Sequence, residues 1–260
     1  MITLKELAAM MDKICPLSLS EACKARGMHD NSGLLISRKG GVNKIAFALD
    51  LTKDAVNEAA KAGCDCFITH HPAIYYGLTE IDEEEVVGGA VFSAIQNNMA
   101  VFSQHLNLDY AAGGIDDMLA YGLGASSFTA LDTLGENAGY GKVFTLPPVS
   151  LGEFAEKIKS KFSTDKVIVY GGYDKTIEKV ASFCGAGGGE AAAHKGEADV
   201  FVTSDAPHHV IREIAESGKS LILLPHYAAE NYGFKVFFSK MKGLLEGRAE
   251  AEYYEDRRYL

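Results

Sequence analysis

No apolar run in this chain approaches the ~20 residues that a membrane span needs. The longest runs, such as SLILLPHYAA at 220–229, stop well short, and no basic-then-apolar leader opens the N-terminus. Both absences lead to the expectation of a cytoplasmic protein without a membrane partner. Net positive charge is also missing: the formal charge is −10 at pH 7. That balance argues against non-specific binding to nucleic acid, which requires a basic face. Cysteine is sparse and odd in number, five in all. Cys64-Asp65-Cys66 is too tight for a disulfide framework or a paired zinc knuckle, so the cysteines read as small buried apolar residues.

What remains is an ordinary globular composition, 47% hydrophobic over 260 residues, enough for one large core or two smaller ones. Helical spacing over 4–15 precedes a buried strand at 43–50. Asp50 and Thr52 then offer capping oxygens to a helix at 53–63 that ends on Gly63. The strand CDCFIT follows at once, a βαβ unit that predicts a parallel crossover. An acidic-headed helix at 82–99 and a strand at 100–104 complete the first region. Residues 126–149 alternate in the manner of antiparallel strands and close on Pro147-Pro148. From Ser150 the α/β alternation resumes, with helices at 151–162, 188–196, 207–218 and from His226. The tyrosine-rich end reads as an edge strand or a tail. The expected fold class is α/β, with domains 1–125 and 126–260, the C-terminal segment being free to pack back on the first.

The two halves echo each other. GCDCFITHHP (63–72) and EADVFVTSDAPHH (197–209) share small, acidic, apolar and threonine positions. NMAVFSQHLNLD and GKSLILLPHYAAE both place a histidine after a strand and an acid four residues on. A weak internal repeat and shared βα geometry are both compatible with this.

Three strands therefore end on candidate ligands: His70 and His71, then His105 and Asp109, then His226 and Glu230. Adjacent histidines also occur as solvated loop pairs, so no motif decides alone. Parallel strands, however, bring their C-terminal ends to one sheet edge. His226 and Glu230, four residues apart at a helix start, share a helix face. His105 and Asp109 lie in HLNLDY, which reads as a turn because Asn and Asp compete with helix by local hydrogen bonds. Mixed imidazole and carboxylate suit zinc, manganese or iron better than calcium, and a set this large can hold two ions. CGAGGGE (184–190) offers amides to an anion but lacks the P-loop lysine; a tight strand–helix turn is its plainer reading. His208-His209, His29 and His194 show no partner pattern.

ITHHPAIYYG, HLNLDYAAGGIDDML, FCGAGGGE, DVFVTSD and PHYAAE together resemble the ordered blocks of the Nif-three-like family. These are dinuclear-metal hexameric proteins named GTP cyclohydrolase 1 type 2 homologues. HDNSGLLIS and IAFALDLTKDAV resemble that family's N-terminal blocks. The resemblance implies two α/β domains of related design flanking a metal-containing cleft, a homohexamer, and two divalent ions (Zn, Fe or Mn) per chain. It implies His70, His71, Asp109, His226 and Glu230 as ligands, with His105 a further ligand or its neighbour. Pro225 and Ala229 stand where the family carries Gly and Thr, and Ser204 where it carries Gly. The activity implied is that of a metal-dependent hydrolase, with Glu230 or His105 as base and a small molecule such as a nucleotide as substrate. A metal-loaded interaction or regulatory protein, or a metal carrier, is the alternative.

Overall fold

The computed structural model describes residues 1–135 and 137–259. The chain opens with α1 (Leu4–Asp12), whose Thr3 cap and Glu6 close a capping box, followed by α2 (Leu17–Ala25). Strands β1 (Gly33–Ile36) and β2 (Lys44–Ala48) lead into α3 (Lys53–Lys61) and β3 (Cys66–Thr69). Then come α4 (Val86–Gln96), β4 (Ala100–Ser103) and the short α5 (Leu106–Tyr110). The Thr52 hydroxyl caps α3 by accepting from the Ala55 amide at 3.1 Å. Gly63, at φ 81°, turns the chain out of that helix in the left-handed conformation that glycine tolerates.

The second half runs through α6 (Ile115–Gly122), β5 (Thr129–Thr133), β6 (Gly139–Ser150), α7 (Leu151–Phe162), β7 (Ile168–Tyr170) and β8 (Thr176–Ser182). It continues with α8 (Gly188–Ala193), β9 (Val200–Thr203), α9 (His208–Glu216) and β10 (Ser220–Leu223). Then come α10 (His226–Leu245), β11 (Glu250–Tyr253) and a short 3-10 helix (Arg257–Tyr259). No helix among the described residues is long and apolar enough to cross a membrane.

Two compact units result. The first is Met1–Ala111 with Val236–Asp256, and the second is built on Ala112–Lys235. The expected cut at 125/126 thus falls earlier, and the returning segment is β11, which pairs parallel with β2 as an edge strand. The earlier cut has a physical reason: the Asp116 carboxylate of α6 accepts the Cys184 amide at 2.9 Å, and Lys142 of β6 lies 2.9 Å from Asp117. α6 is therefore bonded to the strands that follow it.

The first sheet has the order β1-β4-β3-β2-β11 and the second β5-β6-β8-β9-β10-β7. In each, three consecutive parallel strands (β2, β3, β4; β8, β9, β10) are bordered by an antiparallel edge strand that precedes them in sequence, β1 and β7 respectively. The units are of related design, and the sequence echo has a structural counterpart. The amides of His70 and His71 donate to Leu49 O, as those of Ser204 and Asp205 donate to Gly185 O. The Gln104 amide donates to Thr69 O and the Leu224 amide to Thr203 O. His105 consequently matches Pro225, and His226 stands one residue later than the echo implies.

Each sheet has its own core. Phe67, Val101, Met99 and Val56 are buried in the first unit, and Phe183, Phe201, Ile214 and Leu221 in the second. Phe201→Ala is expected to cost about 3–5 kcal/mol, read as a shift in the denaturant midpoint of unfolding. The β6–β8 ladder shifts register between Thr145 and Val149, around Pro147-Pro148. Proline has no N–H to give a ladder, which is why the strand is interrupted there rather than ended.

Candidate metal centre

In the first unit the ligand candidates are placed by strand exits. His70 and His71 leave β3, and His105 leaves the neighbouring parallel strand β4. The side-chain hydroxyls of Ser103 and Thr69 fasten this edge, donating to His70 O and His71 O, both at 2.7 Å. His70 is fully buried, and the ligand atoms of His70, His71 and His105 lie within 4.8 Å of one another. Asp109 joins them, its carboxylate 3.6 Å from His70 Nε2. HLNLDY is a short helix rather than the expected turn. Asn107 sends its side-chain amide away from its own backbone, to Cys15 O at 2.8 Å and Gln104 Oε1 at 2.7 Å, and so does not compete with the helix. His105 occupies the N-cap position, and its carbonyl accepts the Asp109 amide at 3.0 Å. One turn thereby carries both candidates.

The second unit presents His226 at the first position of α10 and Glu230 one turn on, with His226 Nε2 3.0 Å from Glu230 Oε1. Glu230 is buried at 3% exposure. Gly185, at φ 62°, makes room for it: a Cβ there would stand 2.7 Å from Glu230 Oε1. CGAGGGE is thus the tight strand–helix turn, closed by the Gly187 amide donating to Thr203 Oγ1 at 3.0 Å.

The decisive feature is the other side of each imidazole. Nδ1 meets an oxygen in all four rings: Gln104 O for His70 (2.7 Å), Asp50 for His71 (2.7 Å), Asp30 for His105 (2.8 Å) and Asp205 for His226 (2.5 Å). Carbonyl and carboxylate oxygens only accept, so Nδ1 carries the hydrogen and the lone pair of each neutral ring sits on Nε2. That tautomer is the one an ion-ligating histidine takes when a carboxylate or carbonyl orients it. Burial would raise the Asp30 carboxyl, but hydrogen bonds from His105, Ser20 and Ser32 outweigh it and hold the group far below the usual carboxylate range. Asp30 remains an acceptor for His105 throughout the neutral range.

These three carboxylates were not read as site residues from sequence. Asp50 reads as a helix cap, but Thr52 does the capping and Asp50 turns to His71. Its position directly after a parallel strand was the available signal. Asp30 precedes β1 instead of following a strand, so its only signal was the resemblance of HDNSGLLIS to a family block. Asp50→Ala is expected to weaken ion affinity about 10- to 100-fold, as loss of such an orienting carboxylate does, measured by competition against a chromophoric chelator.

The remaining candidates fall outside these groups. His29 stacks on Tyr76, His194 stacks on Phe183, and the ring of His208 begins α9 in solvent. All five cysteines are buried free thiols, and burial pushes Cys15 and Cys66 far above the ordinary thiol range. The donor set is therefore imidazole and carboxylate without thiolate, in groups able to hold a metal ion.

Comparison with known proteins agrees with this picture. The chain is 30% identical over 251 residues to a GTP cyclohydrolase 1 type 2 homolog of Clostridium acetobutylicum, covering 94% of this chain and 91% of the relative. A protein of the same name from Clostridium perfringens is 28% identical over 232 residues, 87% and 86% of the two chains. A crystal structure of a Staphylococcus aureus hypothetical protein superposes with a TM-score of 0.85 at 25% identity, over 97% of this chain and 96% of that one. The family model described as Duf34/NIF3 (NGG1p interacting factor 3) matches residues 2–256. With a match of that extent, this chain belongs to the Duf34/NIF3 family.

Proposed function

We propose that this protein is a metal-dependent hydrolase holding two divalent ions per chain, zinc, iron or manganese. The supporting observation is the common Nδ1 anchoring of His70, His71, His105 and His226. In this reading His70, His71, His105, Asp109, His226 and Glu230 are the ligands. A divalent pair supplies Lewis acidity and lowers the pKa of water enough to provide a nucleophile at neutral pH. Asp30, Asp50 and Asp205 keep the rings in the ligating tautomer. The base is Glu230, which is buried, or His105 where its Nε2 is not spent on an ion. The reaction class is attack on an electrophilic carbon or phosphorus, as in a cyclohydrolase or a phosphoesterase. The names of the clostridial relatives support a nucleotide as substrate.

The test is elemental analysis of the purified protein, followed by a turnover screen on nucleotides and phosphoesters. About two ions per wild-type chain, with loss in His226→Ala, is the expected result. No bound metal under any loading condition would sink the reading. A second reading, a metal-loaded regulatory protein or carrier, is supported by the family's description as an interacting factor. Bound ions without turnover on any member of the screen would favour it. We further propose a cytoplasmic homohexamer, on the strength of the family resemblance; sedimentation at a monomer mass across concentrations would refute the assembly.

A further inference from the structure

Tyr75 and Tyr76, at the end of the strand-exit stretch, play no part in the ligand set. They are nonetheless braced. The Asn31 side-chain amide donates to Ile74 O at 2.6 Å, His29 Nε2 donates to Tyr75 O at 2.6 Å, and the Tyr75 hydroxyl donates to His29 O at 3.2 Å. On this base the Tyr76 ring stacks on His29, with centroids 4.7 Å apart and planes 21° from parallel. Tyr75 stands edge-on to both, 4.8 Å from Tyr76 and 4.6 Å from His29.

Tyr76 is 68% exposed despite this bracing. An aromatic ring gains by burial, so a ring left in solvent yet stacked on His29 and flanked by Tyr75, on a backbone fastened by three hydrogen bonds at Ile74 and Tyr75, is preorganised for a contact made later. The location narrows what that contact is. The segment that braces the ledge also holds a candidate ligand: Asp30 accepts from His105 Nδ1, and the Ser32 hydroxyl accepts the His105 amide at 3.1 Å. The Tyr75 ring lies edge-on to the His105 ring at 5.9 Å.

We propose that the Tyr76–His29 stack is a ring-binding ledge beside His105, which takes a planar heteroaromatic ring, of the nucleobase or pyridine kind, against the open face of Tyr76. Stacking of this kind is tolerant of which ring is bound, because every such ring has a π-face. As a substrate subsite the ledge rests on the hydrolase reading. Ring binding itself needs neither ions nor turnover, so the two fail separately.

The chain contains no tryptophan, so Tyr76→Trp places a sole indole reporter on the ledge. The full-length variant is titrated with guanosine, with nicotinamide and with ribose 5-phosphate, in the presence of zinc and of EDTA. Saturable quenching by the two ring compounds and none by the sugar phosphate is expected. Equilibrium dialysis of guanosine against the unlabelled wild type should show affinity weakened about tenfold or more in Tyr76→Leu and kept in Tyr76→Phe. Quenching that rises linearly, as for free N-acetyltryptophanamide, or equal dialysis affinities for wild type and Tyr76→Leu, would overturn the proposal. So would indole emission that follows protein concentration instead of ring compound, because the ledge would then be a contact between copies. Saturable quenching without turnover on any substrate leaves the ledge standing and removes the hydrolase.

Discussion

His70→Ala is expected to leave the chain short of metal, with turnover at the uncatalysed background and the fold intact. His70 is fully buried at the exit of β3, its Nδ1 spent on Gln104 O, its Nε2 3.6 Å from Asp109 and within ligand range of His71 and His105. Removing the imidazole takes a donor from the middle of the set, where His71 and His105 cannot both substitute for it. The strand pairing that holds the edge, Thr69 against Ser103, involves backbone and hydroxyls only. Elemental analysis, circular dichroism and a turnover assay on one preparation check this. Two ions per chain and wild-type turnover in His70→Ala would remove His70 from the site.

The second large effect concerns stability. Lys142 is 2% exposed and lies 2.9 Å from Asp117 and 3.6 Å from Asp116, with its ammonium donating to Gly139 O at 2.6 Å. Lys142→Met would leave two carboxylates in a buried setting without their cation, a loss of about 3–5 kcal/mol. Pairing it with Asp116→Asn should recover part of that, since a neutral amide oxygen still accepts from the Cys184 amide and needs no cation. A pH signature accompanies it. Burial pushes the Asp116 carboxyl up to about 6, against the pull of Lys142 and of the Cys184 amide. A carboxyl raised above its unfolded value of about 3.9 favours the folded state most below that value. The favour is lost as pH rises from there through 6. Lys142→Met removes an influence that lowers this pKa, so the fall in stability should become larger and extend to higher pH than in wild type. Chemical denaturation of both proteins between pH 4 and pH 8 checks the sign. A pH-independent difference would show that Asp116 does not titrate in this range.

The strand and helix order was legible because apolar runs and caps are local. CDCFIT, DVFVTS and SLILLP each carry enough buried β-branched or aromatic residues to be strands in any context, and Thr52, Gly63 and Ser150 punctuate the helices on either side. The helix at α2 and the short α5 were not legible. α5 depends on Asn107 bonding to Cys15, 92 residues away, which no local pattern encodes. The same separation explains the site. Each candidate pair, His70-His71 or His226 and Glu230, is readable from its spacing at a strand exit. The carboxylates that orient them are not: Asp30 reaches His105 across 75 residues and Asp50 reaches His71 across 21.

By itself, then, the sequence determined the α/β class and the residue types offered to an ion, because hydrophobic period and chain-local spacing decide those. Tertiary structure alone decided which nitrogen of each imidazole is presented, that Gly185 must leave space for Glu230, and that an exposed tyrosine is braced beside His105. Tautomer, clearance and ring stacking arise from atoms distant along the chain, and only folding brings those together.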